Sequence, residues 1–105
     1  MQTSWDKNQQ NAIDEVLSGH ILFETQTCPF CIKVRIEMMR LGMTVRSCNI
    51  NADPQNRITL VAGGGKSQVP CLKIPMADGV EQWLYESDDI IDYLNQVHPF
   101  SDQIK

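Results

Sequence analysis

No apolar run in this 105-residue sequence comes near the roughly 20 residues that a membrane-spanning helix needs. Basic residues are also scarce, nine Lys and Arg against thirteen Asp and Glu. The first absence argues against a membrane protein. The resulting net charge of -4 argues against nucleic acid and anionic membrane as partners, because both demand a basic surface. Met1 to Asn11 holds no basic stretch followed by an apolar one, so no secretory signal is read there and the cytoplasm is the expected location. Repeats and low-complexity segments are missing as well. What remains is 42% hydrophobic and 21% charged, the composition of a soluble globular protein that builds its core without disulfide staples. At this length one domain is expected, residues 1–105, with a leading helix in 1–18 and a core in 19–97.

In a reducing cytoplasm four cysteines are not expected to form a structural framework, which leaves catalysis, metal binding or plain burial for each. Two of them stand as Cys28-Pro29-Phe30-Cys31, after an apolar strand-like run and before a helix-like one. At a strand-to-helix junction that spacing reads as a redox dithiol. The first-turn N–H groups of a helix have no intrahelical partner, so they favour a thiolate at Cys28, and Pro29 suits the first helical position. Cys31, nearly one turn on, reaches the Cys28 sulfur from a less exposed place. In thiol–disulfide exchange the more acidic thiol attacks and the second resolves the mixed disulfide. A structural thiol pair, or half of a zinc site, is the alternative. Zinc would need two further ligands at matching spacing, whereas Cys48 and Cys71 stand singly within apolar strand patterns and read as core, so no metal site is assigned. His20 and His98 lie beside a strand start and a helix end, and neither is expected to be catalytic.

Trp5, Ala12, Ile13, Val16 and Leu17 recur at helical spacing over 5–18, with Ser4 as the cap and Gly19 as the stop. Residues 20–25 and 44–50 read as strands. Between them, 28–41 carries both periods, and its length decides for a helix. Asp53-Pro54 opens a further helix that Gly63-Gly64-Gly65 ends. Strands over 69–74 and 80–85 form an antiparallel pair, and Ser87 caps a last helix with Asp88 and Asp89 in its first turn. The order is α-β-α-β-α-β-β-α. Its first two strands, joined by a helix, must run parallel, so an α/β fold follows, a mixed four-stranded sheet with helices on both faces.

Over residues 19–97 the chain resembles the glutaredoxins of the thioredoxin fold superfamily. Thr27-Cys28-Pro29-Phe30-Cys31 is close to that family's C-P-Y-C signature, Gly65 followed by Gln68-Val69-Pro70 to its G-x-x-T-V-P segment, and Ser87-Asp88-Asp89 to its acidic helix start. The resemblance implies a thioredoxin-like fold with an extra N-terminal helix and a glutathione-dependent thiol–disulfide oxidoreductase. Cys28 would be the nucleophile and Cys31 the resolving thiol. Glutathione would be the reductant, bound by Phe30, Arg57, Val69, Pro70, Ser87 and Asp88, and the partners would be disulfide-containing or glutathionylated proteins met by a monomer. Pro70 would be a cis-proline facing the thiols, with Val69 pairing its backbone to the cysteinyl unit. Ser87 and the helix start would take the γ-glutamyl carboxylate, Asp88 the ammonium. Arg57 would meet the glycine carboxylate, with solvent exposure as its alternative.

Two positions depart from the glutaredoxin pattern. Thr25 stands where the family often has a lysine, and Tyr85-Glu86 replaces a glycine pair. Glu86-Ser87 with Ile90 is instead similar to the E-S-x-x-I segment of glutathione transferase N-terminal domains, which also binds the γ-glutamyl group. A transferase-like binding module is therefore a second reading, although the chain has no room for that family's helical second domain. A third is an iron–sulfur carrier using Cys28 and glutathione, for which Pro29 is the less usual residue.

Overall fold

The computed structural model describes residues 5–100. In chain order these form α1 (Lys7–Val16), β1 (Ile21–Glu24), α2 (Pro29–Leu41), β2 (Arg46–Asn49), α3 (Pro54–Gly64), β3 (Cys71–Pro75), β4 (Glu81–Leu84) and α4 (Ser87–Val97). A 3-10 turn, Ala77–Gly79, links β3 to β4. The strands lie in the order β2-β1-β3-β4, with β1 parallel to β2 and antiparallel to β3, and β3 antiparallel to β4. Element order and sheet type are those the sequence predicts.

The period-two alternation of strand side chains divides the core between the two faces of this sheet. Leu22, Leu72 and Ile74 face one way and bury against Ile13 of α1, Val34, Met38 and Leu41 of α2, and Ile90 and Leu94 of α4. Phe23 and Cys71 face the other way and pack with Ile50 and with Leu60 of α3. Phe23 is in register with Cys48 on one side and Cys71 on the other. Both single cysteines belong to this second cluster, Cys71 fully buried and Cys48 half-buried, as a small apolar side chain would be.

The element ends differ from the sequence reading where tertiary contacts decide them. Ser4 lies outside the described residues, and the cap on α1 is Asp6: its carboxylate accepts the Gln9 N–H at 2.7 Å while the Gln9 side chain accepts the Asp6 N–H at 3.1 Å. The triple glycine does not end α3 at its first member. The helix runs through Gly63 and Gly64 and is capped by Gly65. A Cβ at Gly63 would stand 2.0 Å from Trp83 Cζ2, and one at Gly64 1.9 Å from Tyr85 Oη, so the two glycines let α3 lie close against β4. Strand β3 begins at Cys71 rather than at Val69. The cap of α4 is Glu86, which makes no side-chain capping bond, and Ser87 is the first helical residue, buried at 8% exposure.

Both histidines serve packing. His20 Nε2 meets Tyr93 Oη at 2.8 Å. His98 accepts the Phe100 N–H on Nδ1 at 3.0 Å, so Nε2 carries the proton and donates to the Leu41 carbonyl at 2.8 Å. That second bond ties the end of α4 to the end of α2. Trp5 stacks there on His98 and Phe100, with ring centroids 5.2 and 5.6 Å away.

Candidate active site

Cys28 is the N-cap residue of α2, with φ -74° and ψ 122°, and Pro29 follows in the first turn. Its sulfur is partly exposed, while Cys31 is buried. The two thiols are pushed apart in acidity. Partial burial opposes ionisation of Cys28, but N–H groups of Cys31 and Phe30, the Cys31 thiol and the charge of Arg35 together hold its pKa below the ordinary thiol value. Burial pushes Cys31 up to about 11, against the pull of the Thr25 backbone, and its bond to Cys28 and the charges of Cys28 and Glu24 add to the rise. Of the pair, the partly exposed thiol is therefore the one that ionises first, and the buried one keeps its proton.

Beneath the dithiol lies an ion pair that the sequence reading did not single out. Glu24, on the α2 side of β1 and only 6% exposed, is bonded to the guanidinium of Arg35 and to the Ser47 hydroxyl of β2. Arg35 also donates to the Gln26 carbonyl at 3.1 Å, fastening the segment that leads into Cys28. The charge missing at Thr25 is thus partly supplied from α2. The pull of Arg35 on Cys28 is weaker than that of the Cys31 and Phe30 N–H groups, so the helix start has the larger share of the effect. A glutamate inside an apolar strand was the available signal.

A groove of about 200 Å³ opens at Phe30, which stands between the two cysteines in the chain, and is lined also by Val69, Pro70, Ser87 and Asp88. The Val69–Pro70 peptide is cis. No side chain caps the first turn of α4, which faces this groove through Ser87 and Asp88. Five of the six residues predicted for glutathione thus share one wall system. Arg57 stands outside that lining: it is exposed on α3, where it donates to Ser67 Oγ at 2.6 Å and to Asn51 Oδ1 at 3.3 Å. Tyr85 closes one end, its hydroxyl bonded to both backbone groups of Lys66 at 3.2 Å. Lys33, which the sequence reading also missed, joins the lining and pairs with Asp88 across the gap from α2 to α4.

The model of the glutathione S-transferase N-terminal domain family matches residues 27–97. No curated protein matches the sequence. Among solved structures, the chain is similar to maleylacetoacetate isomerase from Anaeromyxobacter dehalogenans, solved with GSH bound in its active site: 23% identity, TM-score 0.57, covering 77% of this chain and 38% of that one. It is similar to wheat glutaredoxin at 23% identity and a TM-score of 0.55, covering 90% and 87%. The holo form of glutaredoxin C1 from Populus tremula x tremuloides gives 15% identity and a TM-score of 0.56, covering 95% and 100%. At these identities the likeness is one of fold, and that fold is thioredoxin-like. This chain spans less than two-fifths of the isomerase's length, 38%, but most of the wheat glutaredoxin's, 87%.

Proposed function

The chain belongs to the family of glutathione S-transferase N-terminal domains, through residues 27–97, and we propose that within it this protein works as a glutathione-dependent thiol–disulfide oxidoreductase. What supports the reading is one conjunction: a partly exposed thiol of lowered pKa at a helix start, a buried thiol one turn on, and a groove opening at Phe30 between them in the chain, walled by Val69, cis-Pro70, Ser87 and Asp88. The dithiol supplies the electrons and the groove supplies the recognition.

The Cys28 thiolate attacks one sulfur of a target disulfide. That S–S bond breaks as the bond to Cys28 forms, and the departing thiolate takes a proton from water. On a protein disulfide, Cys31 then loses its proton and attacks Cys28 Sγ, releasing the second target thiol and leaving a Cys28–Cys31 disulfide. Two glutathione thiols restore the dithiol, the first opening it as a mixed disulfide at Cys28 and the second displacing Cys28. They leave as one glutathione disulfide, and two electrons have passed. On a glutathionylated protein, Cys28 takes the glutathionyl group directly and a single further glutathione completes the cycle without Cys31.

In this reading the Val69 backbone pairs with the cysteinyl unit, Phe30 and Pro70 flank it, Ser87 and the open first turn of α4 hold the γ-glutamyl carboxylate, and Asp88 faces the ammonium. Arg57 meets the glycine carboxylate by leaving Ser67. The partners are disulfide-containing and glutathionylated proteins in the cytoplasm, met by a monomer.

Turnover of a small glutathione mixed disulfide, coupled to glutathione reductase, tests this. Cys28→Ser should fall to background, and Cys31→Ser should keep this turnover while losing reduction of a protein disulfide. Undiminished turnover in Cys28→Ser would overturn the assignment. The family model favours a second reading, a transferase-like glutathione-binding module, which predicts glutathione binding with no disulfide turnover in any of the three proteins.

A further inference from the structure

Lys33 stands on α2 five residues beyond Cys28, and its ammonium lies against Asp88 Oδ1 at the start of α4. The two residues line the groove at Phe30 and also a larger one of about 540 Å³ between α2 and α4, so the pair forms the wall between the two spaces. Of the acids nearest by, Glu37 is already held by Arg40 and Asn95. Asp88 is the partner that Lys33 has. The carboxylate to which the glutathione reading gives the ligand's ammonium is thus already paired with a primary ammonium of the protein.

We propose that Lys33 is a specificity-determining residue of this groove, an internal stand-in for the ligand's amino group, and that the site takes γ-acyl cysteinyl peptides whether or not that amino group is present. The proposal rests on the reading of the groove as a glutathione site. A ligand ammonium reaches Asp88 only by displacing an equal charge, so one ion contact is made as another is lost. Lys33, 52% exposed along its side chain, returns to water at little cost. The carboxylate end of the ligand faces no such competitor. It meets the uncapped first turn of α4. Recognition then lies in the carboxylate and the cysteinyl backbone, and the amino group adds little.

Calorimetric titration of the reduced protein with glutathione and with glutaryl-cysteinyl-glycine, which lacks only the amino group, separates the possibilities. In the wild type the two affinities should agree within about twofold. Lys33→Met frees Asp88 for the ligand, and the preference for glutathione should grow by up to about fivefold, the upper range for an exposed ion pair. Lys33→Arg should behave as the wild type, and adding Asp88→Asn to Lys33→Met should abolish the gain. A preference that is the same in wild type and Lys33→Met overturns the role of Lys33 while leaving the glutathione site standing. Binding of neither peptide to the wild type removes the glutathione reading, and this proposal with it.

Discussion

Replacing Gly63 by alanine sets two opposed effects against each other, and the geometry decides the sign. In an unobstructed helix interior alanine is favoured over glycine by about 0.8–1.0 kcal/mol. At Gly63 the added Cβ would stand 2.0, 2.6 and 2.7 Å from three ring atoms of Trp83. Carbon atoms rest about 3.5–4.0 Å apart, so the indole or the helix must retreat by about 1.5 Å. The indole is not free to do so: its ring lies 5.6 Å from that of Phe23, and the Lys73 ammonium sits 5.8 Å from its centre. Overpacking of this kind costs about 1–3 kcal/mol, and a clash with three atoms of one rigid ring belongs in the upper half of that range. The net effect is a loss of about 1–2 kcal/mol, or a fall in Tm of roughly 5–10 °C for a protein of this size. Thermal and urea unfolding followed by far-ultraviolet circular dichroism measure it. In a Trp83→Leu background the obstacle is gone, and Gly63→Ala should become neutral or stabilising. A Gly63→Ala protein as stable as its parent, or an equal loss in both backgrounds, would refute the close-approach argument.

Brief alkylation with iodoacetamide, read by peptide mass spectrometry, should label Cys28 first at neutral pH and Cys31 only as the pH nears about 11; equal labelling of the two at pH 7 would contradict the division of acidity between them. Cys71 is pushed up to about 12 by burial, against an ordinary thiol value of 9.0, so the folded protein holds this proton more tightly than the unfolded chain. Its contribution to stability is complete below pH 9 and drains away as the pH rises toward 12. The urea midpoint of the wild type should therefore fall more steeply above pH 9 than that of Cys71→Ala, and parallel curves would count against the assignment.

The order of elements was legible because their strongest signals are local. Asp53-Pro54 starts a helix by its own chemistry, and Asp53 does accept the Gln55 N–H at 2.9 Å. The dithiol was legible because spacing and a strand-to-helix context occur together. What escaped depends on contacts between distant segments. Gly63 and Gly64 look like a terminator until Trp83 and Tyr85 are brought against them. Ser87 looks like a cap by residue type, but burial draws it into the first turn and leaves Glu86 at the cap position. The pairs Glu24–Arg35 and Lys33–Asp88 join residues 11 and 55 apart, and no periodicity in a single element announces either. Arg57 is a different case: a cation singled out by its place in the sequence, whose partners on the folded chain, Ser67 and Asn51, no local pattern announces.

The knot of Trp5, His98 and Phe100 at the far end of α2 has a practical side. Trp5 and Phe100, the first and last described residues, stack on each other, and His98 anchors them to the Leu41 carbonyl, at the opposite end of α2 from Pro29. Thirteen helical residues hold that end about 20 Å from Cys28. An affinity tag, a surface tether or a fused partner that departs from Trp5 or Phe100 would leave from this pole, at the other end of α2 from Cys28.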